Sequence, residues 1–324
     1  MSAFPPREDL TICFAHVAYR MADRFALRGT GIRHFQVSTI EELTVRIADA
    51  DVLSVSMMWR NSLIPRAPKL KFIQSISAGT DQYSRDALKG AGIRLASGQG
   101  VNARAVAEHA MSLILAMTRQ LHLARDNQVK HHWRGMISDL SKREDELGGK
   151  TLLIVGLGRI GSHLATLARA FGMRVIATKR DVASGAGAAD AVFPDAALIE
   201  HLPEADFVAL TCPLTPQTEG LINARALAAM KPSAYLINVA RGRVVDEPAL
   251  IRALGEARIA GAGLDCTVEE PLPAASPLWD IPNVLITPHT AGETRRYEDN
   301  VIDLLLENLD RLWRGEAELK NGIV

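Results

Sequence analysis

From about Lys150 onward, short β-branched runs alternate with longer alanine- and leucine-rich stretches, and this rhythm leaves few folds open. The runs are Thr151–Val155, Arg174–Thr178, Asp206–Leu210, Ala234–Val239, Ile259–Leu264 and Val284–Ile286; segments such as Ser162–Phe171 and Ala249–Ala257 lie between them. Apolar strands that alternate with helices predict an α/β fold whose parallel sheet is covered on both faces. In "VVDEPAL", Asp246 stands where a helix N-cap belongs and Pro248 falls in the first turn. The first hundred residues carry a looser version of the pattern, with strands expected at Thr11–Phe14, Val52–Ser54 and Lys71–Ile76. A helix is expected from about Arg104 to Leu123, apolar nearly all round and therefore buried between two bodies. "SKREDELGGK" reads as a connection into the second domain and "ASGAGAAD" as a loop.

Composition narrows the partners. A chain of 324 residues with 48% hydrophobic content is long enough for two globular domains, each with its own core. Basic and acidic residues balance at 37 each, which gives no electrostatic reason to expect nucleic acid or an anionic membrane. A small molecule is the expected partner. Cys13, Cys212 and Cys266 are odd in number and far apart, so neither a disulfide framework nor a metal site is expected, and a reducing compartment fits. The start, "MSAFPPREDL", lacks the apolar stretch of a signal peptide, and no run reaches the length of a membrane span. The expectation is a soluble, cytoplasmic protein.

The stretch "TLLIVGLGRIGSHLATLARAFG" contains Gly156-Leu157-Gly158-Arg159-Ile160-Gly161 between an apolar strand and a helical pattern. In that setting Gly156 permits the tight turn, Gly158 lets the backbone approach a pyrophosphate, and Gly161 lets helix and strand pack closely. The helix N-terminus then offers N–H groups and partial positive charge to the phosphates. Where the next strand often ends in an acid that grips a ribose, this chain reads Thr178-Lys179-Arg180. A carboxylate there would repel a 2′-phosphate, whereas Lys179 and Arg180 attract one, so NADP is expected over NAD. Two alternatives stand: that both cations are solvated turn residues, or that Asp181 serves the ribose.

Three later strand ends supply charged groups: Arg241 in "INVARGRVVDE", Asp265 and Glu270 in "GLDCTVEEPLP", and His289 in "LITPHTAGET". Ligands of open parallel sheets bind outside the carboxyl ends of strands, so these groups should reach one crevice. Arg241 can bind a substrate carboxylate and polarise the adjacent carbonyl. His289 is the natural proton donor, and Glu270 would orient its ring and favour the imidazolium form. Arg243 and Glu269 read as ordinary surface charges.

With these residues in place, the sequence resembles the D-isomer-specific 2-hydroxyacid dehydrogenases. The likeness runs from "SISAGTD" through "NARAVAEHAMSLILAMTR", "ELGGKTLLIVGLGRIG", "CPLTPQTEGLIN", "LINVARGRVVDEPAL" and "GAGLDCTVEEPLP" to "PLWDIPNVLITPHTAG". It implies two Rossmann-like domains with a cleft between them: a flavodoxin-like substrate domain, residues 1–101 and 291–324, and a dinucleotide-binding domain, residues 102–290. The family's catalytic Arg, Glu and His fall on Arg241, Glu270 and His289. The resemblance also implies that backbone amides at Ala78 and Gly79 bind the substrate carboxylate. Val106, Cys212, Pro213, Thr218 and Ala240 would line the cofactor, and Asp265 would meet the nicotinamide carboxamide. It further implies a homodimer formed through the buried helical region after residue 100, with Trp133 nearby. The chain departs from the family at Ser77, where many relatives have glycine, and at Lys179, in the acid's place. "SMMWRNS" is expected to line the substrate end, with Met57, Met58 and Trp59 making it apolar or bulky; the alternative is that the three simply pack beneath a strand end. The implied activity is NADP(H)-dependent reduction of a 2-keto acid such as glyoxylate, hydroxypyruvate or a larger analogue. A dinucleotide-sensing binding protein on the same fold, and an enzyme acting on formate or phosphite, are the alternatives; Glu270 argues against formate.

Overall fold

The computed structural model describes residues 4–324. The chain divides into two compact units: the residues up to Asn102 together with Thr294–Val324, and Ala103–Glu293.

The first unit holds β1 (Thr11–Ala15), α1 (Met21–Ala26), β2 (Arg33–Val37), α2 (Ile40–Arg46), β3 (Val52–Val55), β4 (Phe72–Ser75), α3 (Arg85–Gly90) and β5 (Arg94–Ala96). Its five strands are all parallel, in the order β2-β1-β3-β4-β5. That is the flavodoxin-like arrangement, with a switch point between β1 and β3. Strands β3 and β4 are buried at every position, as a sheet covered on both faces demands.

The second unit holds α4 (Ala103–Thr118), α5 (Leu121–Val129), β6 (Thr151–Val155), α6 (Arg159–Ala170), β7 (Arg174–Thr178), β8 (Ala191–Phe193), α7 (Leu198–His201), β9 (Phe207–Leu210), α8 (Ala224–Ala229), β10 (Tyr235–Asn238), α9 (Glu247–Gly255), β11 (Gly261–Leu264) and β12 (Val284–Ile286). The order β12-β11-β10-β9-β6-β7-β8, again all parallel, reverses between β6 and β9 and makes this a doubly wound dinucleotide-binding topology. One face of the sheet is covered by α4 and α6, the other by α7, α8 and α9. Asp246 caps α9, its carboxylate accepting from Ala249 N at 3.0 Å, with Pro248 in the first turn. The last helix, α10 (Tyr297–Trp313), returns to the first unit. There Asn308, fully buried, donates to Gln74 Oε1 on β4 at 2.9 Å and accepts from Lys320 N at 2.8 Å. The C-terminal residues then cap the β5 edge, with Ile323 N donating to Leu95 O at 2.8 Å.

Two expectations need correction. The helix expected over 104–123 is broken: Gln120 takes a left-handed φ of 48° and α5 starts afresh. The apolar face of α4 is taken up against α6, β10 and β11 of its own unit, while α5, whose sequence turns polar, buries no residue. Among the described residues no helix is long and apolar enough to cross a membrane.

Candidate active site

The glycine loop lies at the β6/β9 switch point and is shaped by close backbone contacts. Gly156 sits at φ 97°, and a Cβ there would come within 2.7 Å of Cys212 Cα. A Cβ on Gly161 would meet Gly156 O at 2.7 Å, so helix α6 can approach the turn only with hydrogen at that position. Gly158 differs: nothing lies within 4 Å of its absent Cβ. That side of the loop has room at the N-terminus of α6, where Arg159 and Ile160 begin the helix and where a pyrophosphate would be received. The amides of Gly156 and Leu157 both donate to Thr178 O at 3.0 Å, which ties the loop to the end of β7. Lys179 follows, half-buried, its Nζ donating to Gly185 O at 3.2 Å, and Arg180 is exposed beside it. This setting fits a nicotinamide dinucleotide. Asp181 is engaged locally, accepting from Ala183 N at 3.1 Å and, through its carbonyl, from Ser184 Oγ at 2.7 Å.

Across the switch point, Thr211 Oγ1 donates to Gly156 O at 2.8 Å and Cys212 packs under the turn. Burial pushes the Cys212 thiol up to about 11, so it stays protonated at neutral pH. Thr218 closes the following loop, donating to Pro213 O at 2.7 Å and accepting from Thr215 N at 2.8 Å.

Arg241, Asp265, Glu270 and His289 follow β10, β11 and β12 at their carboxyl ends. Arg241 is exposed and uses one N–H on Ala240 O at 2.7 Å. His289 Nδ1 pairs with Glu270 Oε2 at 2.8 Å, while Glu270 Oε1 accepts from Thr267 N at 3.0 Å. His289 itself adopts φ 55°, a left-handed conformation that costs a side-chain-bearing residue on the order of 1–2 kcal/mol. Asp265 holds the loop in that shape. It is 2% exposed, and its carboxylate accepts from Thr287 Oγ1 at 2.6 Å and from the amides of Thr290 and Ala291 at 3.0 Å each. The thiol of Cys266 registers the same convergence: burial raises it, Glu270 and Asp265 add to the rise, and Arg241 opposes it.

A model of the D-isomer specific 2-hydroxyacid dehydrogenase NAD-binding domain matches residues 111–291. The glyoxylate/hydroxypyruvate reductase B of Pectobacterium carotovorum is 37% identical over 79% of this chain and 79% of that protein. This chain belongs to the D-isomer specific 2-hydroxyacid dehydrogenase family. The D-3-phosphoglycerate dehydrogenase of Mycobacterium bovis is 34% identical over 85% of this chain but only 52% of its own length, so the chain spans about half of that relative. A solved acyclic imino acid reductase in complex with NADPH and D-Arg has a TM-score of 0.80 at 25% identity, covering 97% of this chain and 100% of that one.

As a 2-hydroxyacid dehydrogenase family member, the chain places its remaining candidate residues unevenly. The loop with Ala78 and Gly79 follows β4, and its carbonyls are used within its own unit: Ser77 O accepts from Gly98 N, Ala78 O from Ser97 Oγ, Gly79 O from Ser77 Oγ. Ser77, the departure from the family's glycine, pairs its hydroxyl with Ser56 Oγ at 2.5 Å. Met58 and Trp59 require correction. Trp59 is 1% exposed, stacks on Tyr83 and donates to Asn61 Oδ1, so both side chains belong to the core of their unit; Met57 is the exposed one. Val106 likewise sits in the core of the second unit, and Ala240 is buried. Asp265 is engaged with the His289 loop through both carboxylate oxygens, a role that its spacing alone did not show. His109 and Thr287, overlooked in the sequence, complete that arrangement.

Proposed function

We propose that the protein transfers a hydride between NAD(P)H and a 2-keto acid or D-2-hydroxy acid, as a glyoxylate/hydroxypyruvate-type reductase. The observation that carries this reading is the His289–Glu270 pair at 2.8 Å, held on an anchored loop at the same strand ends as Arg241. When bound, the nicotinamide supplies the hydride. Arg241 keeps N–H groups beyond the one given to Ala240 O and uses them to bind the substrate carboxylate. With Nδ1 turned to Glu270, His289 presents Nε2 to the substrate oxygen and gives it a proton as the carbonyl is reduced. Replacing His289 with Asn should lower kcat about a hundredfold or more, with NADPH affinity retained. Near-normal turnover would refute the proton-donor role, and tight NADPH binding without turnover of any 2-keto acid by the unmodified protein would favour a sensing function.

We propose NADPH as the preferred cofactor. Lys179 and Arg180 offer two cations at the end of β7, and the local bonds of Asp181 weigh against its serving a ribose. Lys179→Asp should shift the NADH-to-NADPH ratio of kcat/KM toward NADH by about tenfold or more; an unmoved ratio refutes the preference. A homodimer in a reducing, cytoplasmic setting completes the proposal; the three unpaired, buried cysteines suit such a setting.

A further inference from the structure

His109 lies on α4, far in sequence from Asp265, Thr287 and His289, yet its Nε2 is 2.9 Å from Thr287 Oγ1 and 3.4 Å from Asp265 Oδ1. A threonine hydroxyl has one proton, and at 2.6 Å the Asp265 carboxylate receives it. His109 Nε2 must therefore be the donor to Thr287, which fixes its tautomer with the hydrogen on Nε2. The chain of bonds runs His109 Nε2–H to Thr287 Oγ1–H to Asp265, and Asp265 also takes the Thr290 and Ala291 amides. His289 stands between these anchors in its left-handed conformation, its own amide donating to Thr287 O at 3.0 Å. A strained backbone persists only where its surroundings over-determine it, and here three elements do so: α4 through His109, the end of β11 through Asp265, and the loop after β12 itself.

We propose that His109 and Thr287 are positioning residues that clamp the 287–291 loop and so set the direction of the His289 imidazole. This rests on the reading of His289 as proton donor. The clamp acts on proton delivery and leaves the cofactor-binding loop untouched. Without it, the loop relaxes toward an unstrained φ and the Nε2 atom moves away from the substrate oxygen.

Two pairs of variants test this. Thr287→Val removes the hydroxyl at nearly constant shape, whereas Thr287→Ser restores it. His109→Leu removes the donor, whereas His109→Gln supplies an amide N–H in its place. Val and Leu should lower kcat by about tenfold to a hundredfold, leave NADPH Kd within about twofold, and speed hydrogen exchange in the 284–293 segment. Ser and Gln should recover most of both losses. Unchanged exchange in Thr287→Val and His109→Leu overturns the clamp. Faster exchange with kcat unaltered, in a protein that His289→Asn inactivates, overturns its positioning role. Should His289→Asn retain turnover, the functional reading fails instead, and the exchange measurement still decides the clamp.

Discussion

A methyl group on Gly242 would lie 2.0 Å from both the carbonyl carbon and the oxygen of Thr267. The turn after Arg241 is thus pressed against the turn that leads to Glu270, and the two loops can share the site only because Gly242 has no side chain. Gly242→Ala should therefore destabilise the fold by about 3 kcal/mol and impair turnover, because Arg241 and Glu270 cannot both keep their places. Gly158→Ala makes the opposite pair of predictions. Its Cβ would meet nothing, so the melting temperature should hold, while NADPH affinity should fall about tenfold as the methyl fills the approach to the pyrophosphate. Thermal melts and NADPH titrations of the two variants check this; a stable Gly242→Ala with normal activity would refute the interlock. The tight glycine turn at Gly156 and Gly161 and the placing of Arg241, Glu270 and His289 at strand ends are legible in the sequence. His109 and Thr287 are not, since a histidine on an alanine-rich helix gives no sign of meeting a loop 178 positions away. Trp59 is ambiguous in the sequence because an aromatic next to a strand end can face either way; here it packs on Tyr83.

At the level of elements, the interior strands were legible and several edges were not. The runs that became β1, β3, β4, β6, β7, β9, β10 and β11 are apolar because both faces are covered. The three strands that the sequence did not reveal, β2, β5 and β8, are all at sheet edges. Edge strands need less apolar surface: β2 reads "RHFQV", with only Val37 buried, and β8 has just three half-buried residues. The break between α4 and α5 was hidden because glutamine signals no turn, although Gln120 takes the conformation that glycine prefers. Gln120→Gly should therefore be more stable than Gln120→Ala by about 1 kcal/mol, in spite of glycine's poorer helix propensity. Urea denaturation of the two variants measures the difference. Equal midpoints would mean that the junction relaxes without cost.

For the whole molecule, one surface without an evident function is the segment from α5 to β6. Val129, Trp133, Met136 and Leu140 are all exposed there, Trp133 to 96%. The segment is nonetheless well tied: Arg134 pairs with Glu144, Arg143 Nε donates to Ile137 O at 2.7 Å, and Asp145 N donates to Thr118 O at 3.0 Å. An arm that turns several large apolar side chains outward suits the proposed homodimer, since apolar surface left in water favours burial against a partner. The buried face of α4 is already occupied within its own unit, so the proposed homodimer would have to use a different surface, such as α5 and this arm. Two copies related by a twofold axis would bury each other's tryptophans, with aromatic and methionine side chains as central anchors. The unmodified protein should run as a dimer in size-exclusion chromatography with light scattering, and Trp133→Ser combined with Met136→Ser should shift it to monomer at micromolar concentration. A monomeric unmodified protein, or a doubly substituted one that remains dimeric, would refute this interface. Because His289, Glu270 and Arg241 lie on loops of one chain, the substituted monomer should keep its cofactor affinity, and any loss of turnover would then report on how the arm supports the fold.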